Sequence, residues 1–283
     1  VPTYQLTAIN VGGFPLGESD KVVILFSKER GLGRAVAKGA RKPGTRMAGK
    51  SEALCVNKLL LATGRSLDII TQAESIDTYQ ALRTNLESLT FGLYYAELTR
   101  IFGQGLQGEE EVYFDFLNAS LDRLAKGEAA PARACLEFEM QLLAMLGFQP
   151  ELKVCVRCRA PLTEYSINTF LIELGGVCCK DCAGAPTRRG SSRESDRGSE
   201  ARVSENDFPE NYGSFDESPE KGVFITPMVW KTLVLTEAAA SGSSGHASEP
   251  SAAPLAAAQR IISRYIEERA GQRLKALDLL KQL

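Results

Sequence analysis

The sequence predicts an α+β protein of several domains: an N-terminal β-barrel, a helical bundle body and an inserted four-cysteine element. Three observations carry this. The apolar pattern changes from short strands to helical spacing near position 78, two CxxC pairs follow from Cys155 onward, and the N-terminal segment 1–65 is strongly basic. The chain has 283 residues, room for two or three small units. With 44% hydrophobic and 24% charged residues its composition is that of an ordinary globular protein. No apolar run reaches the roughly 18–20 residues of a membrane span. No charged-then-apolar leader opens the sequence, which points to the cytoplasm.

Five segments between positions 1 and 76 read as strands: Tyr4–Val11, Val22–Ser27, Leu32–Ala37, Ala53–Ala62 and Leu67–Glu74. They are short, rich in apolar or β-branched residues, and punctuated by Gly12-Gly13, Glu29-Arg30-Gly31 and Thr63-Gly64. Such a set fits a small barrel such as an OB-fold, with an SH3-like barrel as the alternative. Residues 1–76 are therefore assigned to one barrel domain. The net charge of −2 hides an asymmetry, because residues 1–65 carry eleven Lys/Arg against four Asp/Glu. A basic end on a mildly acidic chain suggests a polyanionic partner, the plainer reading being a solvated surface. The densest charge is the stretch Lys38–Lys50, with Lys38, Arg41, Lys42, Arg46 and Lys50 and no acid. Cations of this kind gain affinity by displacing counterions from phosphates. Few aromatics accompany them, so contacts to backbone rather than to bases are expected.

Residues 78–150 read as the first part of the helical body. Leu86, Leu89, Leu93 and Ala96 recur at helical spacing, as do Leu117, Leu121 and Leu124, and Leu136, Met140 and Leu143. Pro131 suits a first turn, and Gly127 and Gly147 suit helix ends. Residues 184–222 are polar and charged, and are expected to be a disordered insert. Residues 223–283 are expected to complete the bundle: an apolar stretch Phe224–Leu235, a disordered Ala/Ser-rich linker over 236–253, and a helix with Leu255, Ala258, Ile262 and Tyr265 on one face.

Residues 151–183 hold the strongest motif, Cys155-Val-Arg-Cys158 and Cys179-Lys-Asp-Cys182, the pairs separated by the segment 159–178. Four thiolates on two tight turns supply the closed shell of a structural Zn²⁺, in a zinc ribbon-like element. Cys178 is an alternative to Cys179 as a ligand, and redox use of the CxxC pairs is an alternative to metal. Other motifs fail on context. Gly39-x4-Gly44-Thr45-Arg46 imitates a phosphate loop without its lysine. Gly103-x-Gly105-x-x-Gly108 follows a helix and precedes Glu109–Glu111, which suit a helix N-terminus. The one histidine, His246, lies in the Ala/Ser linker, so no Ser/His/Asp or Cys/His set can be assembled and the chain reads as non-catalytic.

Several segments together resemble the RecO family of bacterial recombination mediators. They are Tyr4–Asp20 with its Gly-Glu-Ser-Asp, Ala37–Lys42, the join Gly147–Cys158, Gly175–Cys182, and the closing Tyr265-Ile with Gly271 and Leu274-Lys. The resemblance implies an OB-fold over residues 1–76 that binds DNA, a helical body and a zinc element. It implies binding of single- and double-stranded DNA, strand annealing, and loading of recombinase in DNA repair. The partners implied are a RecR-like mediator and the tail of the single-strand-binding protein. It assigns DNA contact to Arg34, Lys38, Arg41, Lys42, Arg46 and Lys50, and metal binding to Cys155, Cys158, Cys179 and Cys182. Some members of the family lack the cysteines, so the resemblance makes zinc a scaffold rather than part of a mechanism. The insert over 184–222 departs from the family pattern. Two readings from other classes remain: a zinc-ribbon RNA-binding or transcription accessory protein, and a CxxC thiol oxidoreductase.

Overall fold

A computed structural model describes residues 2–183, 222–240 and 251–280. It comprises two compact units, Val1–Gln149 with Thr232–Leu283, and Pro150–Lys231.

The first unit begins with a closed five-stranded barrel: β1 (Thr3–Leu16), β2 (Asp20–Ser27), β3 (Gly31–Ala37), β4 (Val56–Ala62) and β5 (Asp68–Asp77). A short helix, α1 (Arg46–Lys50), joins β3 to β4. The strand order is β1-β2-β3-β5-β4, and only β3 and β5 pair in parallel, with Ala37 opposite Ile70. The barrel is OB-like. Its inside is lined by Leu6, Ala8, Val23, Leu25, Ala35, Ala37, Leu59, Leu61 and Ile70, with Met47 of α1 packed against them. Alanines are frequent there because a narrow barrel leaves little room.

Gly12-Gly13, expected to be a turn, lies within β1 instead. The strand bulges between Asn10 and Gly12 and runs on to Leu16. The bulge lets one long strand pair with β4 through its first half and with β2 through its second. A Cβ on Gly12 would lie 3.0 Å from Nη1 of Arg100, whose guanidinium donates to the carbonyl of Val11. The sequence therefore needs glycine where a helix closes on the barrel wall.

That helix belongs to the body. After α2 (Gln80–Arg83) come α3 (Leu86–Phe102), α4 (Glu110–Lys126) and α5 (Pro131–Met145), with a 3-10 turn at Gly103–Leu106. Asn85 caps α3, its Oδ1 accepting from the Ser88 amide at 2.9 Å. The leucine spacing marks the buried faces of α4 and α5 correctly, as Leu117, Leu121, Leu124, Leu136, Met140 and Leu143 are all buried. It reads α3 only in part: Ala96 is buried as expected, but Leu86 is 64% exposed, Leu89 and Leu93 are half-buried, and the buried set also takes in Phe91, Tyr94, Tyr95 and Leu98. The physical reason is enclosure: α3 packs on the barrel, α4, α5 and the C-terminal helix, so it has no single apolar stripe. Tyr95 stacks on Phe138 at 3.9 Å, and Phe138 on Phe116 at 4.9 Å, crossing α3, α5 and α4.

The second unit contains β6 (Ile167–Leu171) and β7 (Gly176–Cys179), the short helix α6 (Lys180–Ala183), and β8 (Gly222–Phe224), in the antiparallel order β7-β6-β8. Val223, expected to begin the completion of the helical body, thus pairs with Phe170 in this sheet. So short a strand cannot show alternation in a sequence. Of the expected disordered insert over residues 184–222, Gly222 instead opens β8, and residues 184–221 lie outside the described residues.

The remaining helices are α7 (Pro227–Ala240), α8 (Ala252–Ala270) and α9 (Lys275–Leu280). Residues 236–240 and 252–253, expected to be linker, are helical, because alanine favours helix more than any other residue. Residues 241–250 lie outside the described residues. Within the first unit α8 packs on α5 and α9 on α3. The Glu97 carboxylate accepts from the amides of Lys275 at 3.0 Å and Ala276 at 2.8 Å, satisfying the otherwise unpaired first turn of α9. No described helix is long and apolar enough to cross a membrane.

Glu139 ties three helices together. Its Oε1 accepts from Tyr94 Oη of α3 at 2.6 Å and from Ser263 Oγ of α8 at 2.8 Å. Its Oε2 has no partner among the described residues. Complete burial raises its pKa to about 7, although the hydroxyls of Tyr94 and Ser263 pull it down. The folded state therefore holds this proton more tightly than the unfolded chain. The stabilisation is fully present below the ordinary carboxylate value of 4.5 and is lost as pH rises through about 7. A displacement of this size corresponds to about 3 kcal/mol. Glu139→Gln should flatten the fall in denaturant midpoint between pH 5 and pH 8. Equal pH dependence in variant and wild type would show that this carboxyl is not the titrating group.

Candidate metal centre and nucleic-acid interface

In the second unit the two CxxC pairs lie on two turns that the sheet brings together. The first is closed by the Cys155 amide donating to Ala160 O at 2.8 Å, with Arg159 in the left-handed region at φ 63°. The second is the end of β7 running into α6. The amide of Val156 donates to Val177 O at 3.0 Å and fastens one turn to the other. A Cβ on Gly176 would meet Glu151 O at 2.5 Å, so glycine is needed where the strands approach closely.

The Sγ atoms of Cys155, Cys158, Cys179 and Cys182 all lie within 4.8 Å of one another. Those of Cys158 and Cys179 are 3.8 Å apart. A tetrahedral Zn²⁺ with Zn–S bonds of about 2.3 Å requires S···S edges of about 3.8 Å. The donor set and its spacing therefore fit a metal ion of this kind. Burial alone would raise the Cys155 thiol, but the amides of Cys158, Cys179 and Arg157 hold it down at about 6. One thiolate is thus already favoured; burial disfavours ionisation of Cys179, and the neighbouring sulfurs of Cys158 and Cys179 disfavour that of Cys182. Cys178 stands outside the cluster. It is fully buried, and burial pushes its thiol up to about 12. Strand alternation decides between Cys178 and Cys179, because consecutive residues of β7 face opposite ways. A redox CxxC is expected in a βαβ setting; the surroundings here are an antiparallel three-stranded sheet.

On the barrel, Arg34 is exposed on β3, about 13 Å of strand before Lys38. Lys38, Arg41, Lys42 and Arg46 are exposed. The loop that carries them is fastened to the β1–β2 turn. The Arg41 amide donates to Ser19 O at 2.9 Å, its Nη1 to Gly17 O at 2.6 Å, and the Gly39 amide to Asp20 Oδ1 at 2.8 Å. Thr45 Oγ1 closes the loop onto Gly39 O at 3.0 Å. Lys50 differs from the others, as it is half-buried and its ammonium donates to the carbonyl of Ala73. Among the described residues none of these six cations is ion-paired. On the helical body, by contrast, Arg123 and Arg133 both pair with Glu137. Arg30 covers one face of the Tyr4 ring at 3.8 Å, and the Tyr4 hydroxyl donates to Asp68.

Sequence reasoning missed Arg83. The fold places it beside Arg46 and Lys50, in a cleft of about 390 Å³ that Ser75, Thr78 and Gln80 also line. No spacing could have signalled this, because the whole β4–β5 strand pair separates it from α1 along the chain.

Two family models match the chain. One, described as Recombination protein O N terminal, covers residues 2–79, and the other, described as Recombination protein O C terminal, covers residues 83–189. DNA repair protein RecO of Gloeobacter violaceus is 40% identical over 181 residues, which is 64% of this chain and 69% of that protein. The chain belongs to the RecO family. DNA repair protein RecO of Nostoc sp. is 38% identical over 186 residues, and that of Desulforamulus reducens 35% over 181. The matches take in 62% of this chain and of the Nostoc protein, and 64% of this chain and 69% of the Desulforamulus one. Membership places the chain in DNA repair and recombination. The first model ends at the junction of β5 and α2, where the barrel gives way to the helices.

Proposed function

We propose that the chain is a non-catalytic DNA-binding recombination mediator of the cytoplasm. In this reading it binds single- and double-stranded DNA, anneals complementary strands, and helps load recombinase onto strands coated by single-strand-binding protein. The carrying observation is a row of exposed cations without carboxylate partners, on a loop fastened to a rigid OB-like barrel in a member of the RecO family. Arg34, Lys38, Arg41, Lys42 and Arg46 meet phosphates, and Lys50 holds α1 in place through Ala73. A RecR-like mediator and the tail of the single-strand-binding protein are the proposed partners. Cys155, Cys158, Cys179 and Cys182 hold a structural Zn²⁺, which contributes folding energy to the second unit and takes no part in strand pairing.

The mechanism is charge neutralisation. Two strands repel one another through their phosphates, and cations that screen both lower the barrier to pairing. Phosphate contacts carry no sequence information, so unrelated sequences are bound about equally. Annealing of complementary oligonucleotides should proceed without ATP, and its rate should fall as salt rises. A stopped-flow annealing assay with and without ATP tests this, and a strict requirement for ATP hydrolysis would exclude the mechanism.

A further inference from the structure

The arm formed by the end of β1 and the start of β2 carries two exposed apolar side chains, Phe14 at 45% and Leu16 at 41%. Both stand on the outside of the barrel. Phe14 pairs with Val22 and Val22 with Val36, and these alternate with Val23, Ala35 and Ala37, which line the inside. Arg34 shares the outer face, since its partner Ile24 lies two residues from Val22. At the tip of the arm, Nη1 of Arg41 donates to Gly17 O. The arm is stiff. Pro15 fixes its own φ and restricts Phe14 to extended backbone, and the amides of Arg41 and Gly39 fasten the turn through Ser19 O and Asp20 Oδ1. Unlike Tyr4, Phe14 has no guanidinium over its ring among the described residues. An open aromatic face on a rigid arm, beside cations without carboxylate partners, suits a planar group attached to a phosphate.

We propose that Phe14 is the platform on which one unpaired base of DNA stacks, with Leu16 against the edge of that base. The inference rests on the reading of the Lys38–Lys50 loop as a DNA contact, and adds a contact to the base itself, which the scarcity of aromatics in this part of the sequence argued against. In a duplex both faces of a base are already stacked, so the platform favours the unpaired strand. Stacking needs only a π-face, so every base is accepted. It also leaves the hydrogen-bonding edge of the base open, and a strand held in this way stays competent to pair.

The test is binding of the full chain to oligo-dT and to an abasic strand with the same number of phosphates, each over a range of salt. Phe14→Ala should weaken oligo-dT binding about tenfold. Its slope of log affinity against log salt should stay that of the wild type, because no phosphate contact is lost. Binding to the abasic strand should change by no more than about twofold, since it offers no base to stack. Phe14→Leu keeps an apolar neighbour for Val22 but has no π-face, and should lose nearly as much on oligo-dT. Phe14→Trp should bind oligo-dT as well as the wild type does. Its added emission should be quenched by oligo-dT and not by the abasic strand, with the wild type, whose one tryptophan is Trp230, as the baseline. The proposal is overturned if Phe14→Ala and Phe14→Leu bind oligo-dT as wild type does, or lose as much on the abasic strand. It is also overturned if the emission of Phe14→Trp answers to protein concentration and not to oligo-dT, which would make the arm a contact between copies of the chain. Arg41→Ala with Lys42→Ala separates the two readings, because it should weaken binding to both strands alike. Loss in that double variant with none in the Phe14 variants leaves the loop and removes the platform, and the converse leaves the platform and removes the loop.

Discussion

Replacing Cys155 by serine is expected to release the metal and unfold the unit Pro150–Lys231. The sulfur of Cys155 is fully buried and accepts from the Cys179 amide at 3.4 Å, so it sits at the centre of both turns. The apolar core of that unit is small, built around Leu152, Ile167, Phe170, Ile172, Val177 and Ile225. Units with so little buried surface depend on a metal or a crosslink for stability. Structural zinc supplies about 10–16 kcal/mol of apparent binding energy in peptides at neutral pH, comparable to the gross burial of the whole of this small core. Metal content should fall from one zinc per chain to none, and limited proteolysis should cut within residues 150–183 while the barrel survives. Chelation of the wild type should reproduce both changes. A Cys155→Ser chain with a full zinc complement and an unchanged melting temperature would exclude a four-cysteine site. Cys178→Ser should keep the metal, because Cys178 lies outside the sulfur cluster.

The second large effect is expected in DNA binding. If about five phosphates are neutralised, the slope of log affinity against log salt on single strands should be roughly −3.5. Changing Arg41 and Lys42 together to alanine should flatten it by about 1.4. At 0.1 M salt this corresponds to about 25-fold weaker binding, and near 1 M salt the difference should vanish. The variant loses the Arg41 Nη1 bond to Gly17 O, but the bonds from the Arg41 amide to Ser19 O and from the Gly39 amide to Asp20 Oδ1 should keep the loop in place. Annealing rate should fall in parallel, equally for unrelated sequences. A folded double variant with an unchanged slope would move the DNA contact away from this loop.

How much of this was legible in the sequence depended on how each residue is surrounded. Leu117, Leu121 and Leu124 announce their helix because α4 buries one face and exposes the other. The four cysteines announce themselves because a metal shell needs particular atoms on tight turns, and turns are local. The basic loop is equally local, and glycine with proline marks it as a loop. α3 was read only in part because it is enclosed on several sides. β1 was cut short because its glycines serve a bulge and a packed arginine rather than a turn.

The sequence by itself therefore determined that strands come first and helices follow, the residue types of the four-cysteine cluster and the site of densest positive charge. Each follows from interactions between near neighbours in the chain, where periodicity and composition are sufficient. Only the tertiary structure decided that Cys179 rather than Cys178 joins the sulfur cluster, that Glu139 and Glu97 are buried ties between distant helices, and that Arg83 reaches the cations of α1. Those outcomes depend on chain closure between segments far apart in sequence, and a buried carboxylate or a cleft exists only once the surrounding elements have packed.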